Sequence, residues 1–282
     1  MIEQCSFFND LGDKEFYLLR EVIFKECGIN LTERKKALMQ SRLMKRLRFL
    51  NLDSYKNYCE YLRKNYEDEV VSLINCITTN KTDFFRESKH FNFLKETVLP
   101  EFEKGRGTKL RIWSAGCSTG EEPYSIAITL AEYFRNKVMP DIKILATDID
   151  TDVLDKAISG VYKQECMEEL DLDLIKRYFL KGREDNEGLF VVKDSIKKMI
   201  YFRRLNLLDK VYPMKKLFDM IFCRNVIIYF DKNTRDQVIN RFYNYLHDYG
   251  YFFAGHSETL SNFNNKYYLI GNTIYGKVLQ CI

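Results

Sequence analysis

The stretch IWSAGCSTGEEPYSIA, residues 112–127, places two glycines, a Ser/Thr pair and two carboxylates between an apolar run and a helix-like run. Gly116 and Gly120 permit a tight turn and close backbone approach to a ligand. A phosphate-cradling loop would carry a lysine after its last glycine, whereas this turn continues with Glu121 and Glu122. Two acids at a helix start repel a triphosphate and suit a ligand with hydroxyls and positive charge. S-adenosylmethionine, with a ribose, an ammonium and a sulfonium, has that chemistry. NAD stays open as an alternative, although its pyrophosphate would face carboxylates where its motif has a third glycine. Glu122 has a plain structural reading as well, since Thr119 and Glu122 have the spacing of a capping box. One helix and one strand later, ILATDID ends in Asp148, where such sheets set a carboxylate against ribose hydroxyls.

The elements that position these groups divide the chain in two. Residues 1 to about 95 read as helical, with no glycine between Gly28 and Gly105 and no proline before Pro100. Apolar residues recur there at spacings of three and four: Phe16, Leu19, Ile23, Phe24; then Leu38, Leu43, Leu47, Leu50; then Tyr55, Tyr58, Leu62. Asp53 is the expected cap of the third run. From about residue 108, strand-like and helix-like runs alternate, which predicts a parallel sheet with helices on both faces and a ligand at the strands' carboxyl ends. The expected strands are LRIWSA, IKILATDI, MIYFRRLNL and GYFFAGHS, with FDMIFCRNVIIYF a buried strand entering a loop. Residues 175–199 break the alternation and read as a small antiparallel insertion around a Gly/Asn/Asp/Glu turn.

Composition narrows the function classes. The eight cysteines include no CxxC, and the three histidines have no metal-ligand spacing, so no metal is expected. The first residues carry acids where a secretory leader has bases, and no apolar run approaches the ~20 residues of a membrane span. The thiols are therefore expected to be reduced and the protein cytoplasmic. Residues 34–49, RKKALMQSRLMKRLRF, hold seven cations and no acid. Arg42, Lys45, Arg46 and Lys35 are expected to project away from the leucine stripe, as a solvated face or towards an acidic partner, with nucleic acid the rival.

The motifs TTNKTDFFR (78–86), WSAGCSTGEEPYSIA, ATDID, NLL (206–208), FCRNVIIYFD (222–231) and GHSETL (255–260), in this order, closely resemble the chemotaxis receptor methyltransferases, the CheR family. The resemblance implies a small all-helical N-terminal domain (1–95) and a Rossmann-like class I methyltransferase domain (96–282) bearing the β insertion. It implies methyl transfer from S-adenosylmethionine to glutamate side chains on the cytoplasmic part of chemoreceptors, with no nucleic-acid partner and a monomeric enzyme. Carried over by residue, Asn80, Thr82 and Arg86 contact the cofactor from the inter-domain segment, with Gly116 and Glu122 beside them. Asp148 holds the ribose, and Asn206, Leu207, Arg224 and Asn225 flank the adenine. Arg86 and Tyr229 serve methyl transfer, and the basic helix meets the acidic methylation region. Cys117 stands where many relatives carry alanine or another small residue.

Overall fold

The protein is described by a computed structural model covering residues 10–105, 107–260, 263 and 265–278; the first nine residues, on which the absence of a leader was read, lie outside it, as do Cys5 and Cys281. The six described cysteines 27, 59, 76, 117, 166 and 223 are free.

Four helices open the fold: α1 (Asp13–Cys27), α2 (Lys36–Phe49), α3 (Tyr55–Lys64) and α4 (Tyr66–Ile77). Their apolar faces meet in one core that includes Phe16, Leu19, Ile23, Met39, Leu43, Leu47, Tyr58, Leu62, Leu73 and Ile77. α1 stops at Gly28, whose φ of 73° is costly for any other residue and whose N–H returns to the Phe24 carbonyl. The cap of α3 is Ser54, not Asp53: its hydroxyl accepts from the Asn57 N–H, while Asp53 takes only the Asn57 side-chain amide. Leu43 and Leu47 of the expected α2 stripe are buried, but its first position is Met39, at 1% exposure, rather than Leu38, at 41%.

The chain then crosses to the second domain through residues 78–88. α5 (Lys89–Phe93), a π turn (Leu94–Val98) and α6 (Leu99–Lys104) follow. Phe84, Phe91, Leu94, Val98 and Leu99 are buried in the core of the second domain. The buried core of the helical domain runs to Ile77.

The second domain continues as β1 (Lys109–Ala115), α7 (Glu121–Tyr133), β2 (Asp141–Asp148), α8 (Thr151–Ser159), β3 (Val161–Lys163), α9 (Leu172–Tyr178), β4 (Phe179–Lys181), β5 (Leu189–Val192), α10 (Asp194–Lys197), β6 (Ile200–Arg204), β7 (Phe218–Cys223), α11 (Lys232–Tyr245), β8 (Leu246–Ala254), β9 (Tyr267–Gly271) and β10 (Ile274–Lys277). Seven strands form one sheet in the order β6-β2-β1-β7-β8-β10-β9. The first five are parallel; β10 and β9 add antiparallel, which makes the sheet mixed rather than parallel throughout. The strands are buried on both faces. Ile112, Ile144 and Phe222 pack with α7 residues, whereas Trp113, Ile221 and Phe252 pack with Ile239 and Phe242 of α11.

The insertion is a separate antiparallel sheet, β3-β5-β4. It begins at Val161, earlier than the expected residue 175, because Gly160 at φ 61° ends α8 and turns the next residues into a strand. Residues 172–178, partly inside the expected β segment, form a helix capped by Asp171.

Candidate functional site

Order in the sheet reverses between β1 and β7: the strands after β1 go to one side as far as β6 and to the other from β7 onward. A cavity of about 970 Å³, its open mouth included, lies at the carboxyl ends of these strands. Asn80, Thr82, Arg86, Gly116, Glu122, Asp148, Asn206, Leu207, Arg224, Asn225 and Tyr229 all line it. Five of the six motifs, lying between residues 78 and 231, thus converge on one space, with the inter-domain segment as one wall; GHSETL does not reach the lining.

The glycine turn shapes the floor. Gly116 has φ 87°, and a Cβ there would fall 2.3 Å from Val226 Cγ2, so a side chain would meet the opposite loop. The N–H groups of Gly116 and Cys117 both donate to the Thr147 carbonyl, which ties the turn to the end of β2. The Ser118 N–H donates to Asp148 Oδ2 at 2.8 Å, and the Asp150 N–H donates to Oδ1 at 3.1 Å. Each oxygen keeps acceptor capacity, since a carboxylate offers about four lone-pair sites. Burial pushes the Asp148 pKa up, and these backbone donors pull it back.

Glu122 is no helix cap. Gly120 is the N-cap of α7, and the Thr119 hydroxyl donates to Glu121 Oε2 instead of closing a box with Glu122. Glu122 turns back to the sheet, accepting from the Ser114 hydroxyl at 2.6 Å and pairing with Arg224 Nη1 at 3.3 Å. Burial raises its pKa, and Arg224 and Ser114 oppose that. Glu121 lies outside the cavity lining.

Arg224, 7% exposed, is a tie between segments. Besides Glu122 it pairs through Nε with Glu87 Oε2 at 3.2 Å, and its Nη2 donates to the Arg86 carbonyl. Phe85 and Glu87, on either side of Arg86, have φ of 52° and 57°, strained values for side chains of this size. Arg224 therefore fixes the bend that puts Arg86 in the cavity wall. Arg86 itself donates to the Lys81 carbonyl at 2.9 Å. Glu87, His90 and His256 bring ligand atoms within 4.8 Å of one another. The Arg224 guanidinium already sits on that carboxylate, a standing cation where a metal ion would have to bind.

Other side chains are committed to the frame. Asn80 Nδ2 donates to Asp150 Oδ2 at 2.7 Å, and its carbonyl accepts from the Ser118 hydroxyl. Asn206 Nδ2 donates to the Glu26 carbonyl of α1 at 2.6 Å. These two face the cavity mainly with backbone and amide edges. The Tyr229 carbonyl accepts from the Asn30 N–H at 2.9 Å, and Ile29 bridges Phe230, so the helical domain is stitched to the loop carrying Tyr229.

The cavity fits a nucleoside with positive charge. Its acids are Glu122, Asp148 and Asp83 and its cations Lys81, Arg86 and Arg224; Arg224 is held between two carboxylates, so the positive charge left for a ligand carboxylate is that of Arg86 and Lys81. Asp148 sits at the strand end with acceptor capacity for a ribose diol, and the glycine turn leaves room beside it.

The family described as CheR methyltransferase, SAM binding domain, matches residues 80–275, and CheR methyltransferase, all-alpha domain, matches residues 14–78. The chain belongs to the CheR methyltransferase family. It is 42% identical over 265 residues to the chemotaxis protein methyltransferase of Borreliella burgdorferi, covering 92% of this chain and 93% of that one. It is likewise 42% identical over 266 residues to the Salmonella typhimurium chemotaxis protein methyltransferase, covering 94% and 90%. Among solved structures, PKMT2 from Rickettsia typhi is similar at 15% identity and a TM-score of 0.33, over 55% of this chain and 22% of that one. The chain is thus an S-adenosylmethionine-dependent methyltransferase with an all-helical domain before a Rossmann-like one.

The basic helix differs from its expected picture. Arg46 does not project outward: its Nε donates to Glu69 Oε1 at 3.0 Å and its Nη2 pairs with Oε2, and Glu69 is 1% exposed. Arg42 donates to the Ile77 and Thr78 carbonyls and to the Thr79 hydroxyl, strapping the start of the cavity wall. Lys45 is exposed. No helix among the described residues is long and apolar enough to cross a membrane.

Sequence reasoning passed over Glu87, Ser118, Asp150 and Glu258. Glu87 follows Arg86 directly, and Glu258 lies in the quoted GHSETL, yet nothing in a single sequence pairs either with its partner more than 30 residues away.

Proposed function

We propose that this enzyme transfers the methyl group to glutamate carboxylates on the cytoplasmic domain of chemoreceptors, acting as a cytoplasmic monomer. The observation that carries the reading is the position of Tyr229, which lines both the main cavity and a smaller neighbouring one. That second cavity is bordered by Lys35, Leu38, Met39 and Arg42 of the basic segment, with Lys35 Nζ 5.5 Å above the Tyr229 ring. A negatively charged acceptor approaching along the helical domain would arrive at Tyr229 with cations beside it. The names of the relatives, chemotaxis protein methyltransferases, agree with such an acceptor.

Bound S-adenosylmethionine supplies a methyl group activated by its sulfonium charge. Asp148 holds the ribose hydroxyls, the Gly116 turn and Glu122 take the methionine half, and Leu207 and Asn225 border the base. A glutamate acceptor is already an anion at neutral pH, so the chain has no proton to remove. Its work is alignment and exclusion of water. Arg86 and the Tyr229 hydroxyl orient the incoming carboxylate, and the stitch between Asn30 and Tyr229 keeps the hydroxyl at the cavity mouth. Lys45 extends the positive face towards the acidic partner, where long-range attraction raises the encounter rate.

The test is to incubate the enzyme with methyl-labelled S-adenosylmethionine and a receptor cytoplasmic fragment, then treat the product with mild base. A carboxyl methyl ester releases volatile labelled methanol. Label that stays with the protein through base would mean N- or C-methylation and would overturn the reading.

A further inference from the structure

We propose that Glu258 is a positioning residue of the transferase site: its buried carboxylate holds the loop that carries Asn225 and Tyr229 in its working shape. This deepens the reading above and rests on it.

The chain leaves the sheet after Cys223 and must turn along the cavity within six residues. Asn225 does so at φ 59°, a left-handed conformation that asparagine tolerates better than most residues with side chains. Peptide N–H groups in such a turn have left the sheet ladder and need other acceptors. Glu258 supplies them from the segment after β8. Its Oε2 accepts from the Asn225 N–H at 2.8 Å and the Gly255 N–H at 2.7 Å, and its Oε1 accepts from the Ile228 N–H at 3.2 Å. The two bonds to the loop fall on a cavity residue and on the neighbour of Tyr229.

Glu258 is 4% exposed and, among the described residues, has no ion-pair partner. A buried anion without a cation is costly unless fixed dipoles replace water, and here the three N–H groups do so. Gly255 is required for the arrangement. A Cβ there would lie 2.8 Å from Glu258 Oε2 and 2.8 Å from the Asn225 nitrogen, wedging the carboxylate away from the loop. Glutamine cannot replace the carboxylate, because its single oxygen serves one side of the loop while its amide sets N–H against N–H on the other.

The experiment compares Glu258→Gln and Gly255→Ala with Val238→Ala, a cavity-forming change on α11 that touches none of these bonds. All are assayed below their melting transitions for kcat, KM, S-adenosylhomocysteine affinity and residue-level amide exchange. The expected result is kcat at least ten-fold below that of Val238→Ala in both variants. Faster exchange at Asn225 and Ile228 should accompany it, with KM for the receptor fragment changing less than kcat. If Glu258→Gln does not fold, Gly255→Ala, which keeps the charge, decides the matter. A kcat within two-fold of Val238→Ala, with exchange at Asn225 and Ile228 unchanged, overturns the proposal. Should the wild type transfer no methyl to receptor carboxylates, the proposed reaction falls; the loop claim is then decided by amide exchange and S-adenosylhomocysteine affinity.

Discussion

Replacing Arg46 by alanine should destabilise the helical domain strongly, although Arg46 stands in a run of cations that reads as a solvated surface. Glu69 on α4 is buried, and three bonds hold its carboxylate: two from the Arg46 guanidinium and one from the Tyr58 hydroxyl at 2.9 Å. Removing Arg46 leaves the charge with one neutral donor in an apolar core. Breaking a buried pair from one side costs about 3–5 kcal/mol. The Arg46 side chain keeps 20% of its exposure, so water reaches that edge and the lower end, about 3 kcal/mol, applies. At about 2–4 °C per kcal/mol, the melting transition should fall by roughly 6–12 °C. Lys45→Ala, one residue away and exposed, should stay within about 0.5 kcal/mol. Urea denaturation followed by helical circular dichroism gives both numbers. Replacing Arg46 and Glu69 together by methionine should recover more than half of the loss, because no charge is then left behind. An Arg46→Ala protein within about 0.5 kcal/mol of wild type would refute the inward-facing pair and return Arg46 to the docking surface.

Tyr229→Phe should leave the melting transition unchanged and lower kcat by about 5- to 30-fold, the loss of one hydrogen bond of about 1–2 kcal/mol in the transition state; an unchanged rate would make Tyr229 a packing residue. Lys45→Glu should slow methylation of intact receptor at low ionic strength, with the difference shrinking as salt is added; rates equal to wild type at low salt would remove Lys45 from the docking face. Burial, with Arg224 adding to it, lowers the His90 pKa from 6.5 to about 4. The unfolded chain binds the extra proton in that window, so the His90 contribution is present above pH 6.5 and lost towards pH 4, roughly 3 kcal/mol in all; wild type minus His90→Gln should rise with pH over this range. Burial raises the Glu121 pKa from 4.5 to about 7, which reverses the sign: wild type minus Glu121→Gln should fall as pH rises from 4.5 to 7, and a flat difference in either case would contradict the assigned environment.

Much of the site was legible because its residues lie in short motifs whose backbone demands show locally. Gly116 and Gly120 announce the turn, and Asp148 ends a strand of alternating apolar residues. The first position of the α2 stripe was not legible, because Leu38 and Met39 are both apolar and either one fits with Leu43 and Leu47. Nor was the inward turn of Arg46, since its partner is a carboxylate 23 residues away. Capping by Ser54 rather than Asp53 is a one-residue competition between two good acceptors. The β9–β10 hairpin has Asn272 and Thr273 in left-handed turn positions, where the threonine gives no sequence sign of a turn. Glu87 and Glu258 act across 137 and 33 residues, distances at which one sequence carries no pairing signal.

The most direct measurement is calorimetry of S-adenosylhomocysteine binding to the wild type and to Asp148→Asn. If the cavity at the ends of β1, β2 and β7 is the cofactor site and Asp148 holds the ribose, the wild type binds and the variant loses about 1.5–3 kcal/mol, roughly 10- to 150-fold in Kd, through weakened hydrogen bonds to a charged acceptor. Equal affinity in the two proteins, with both folded, would place the nucleoside elsewhere and contradict the assignment.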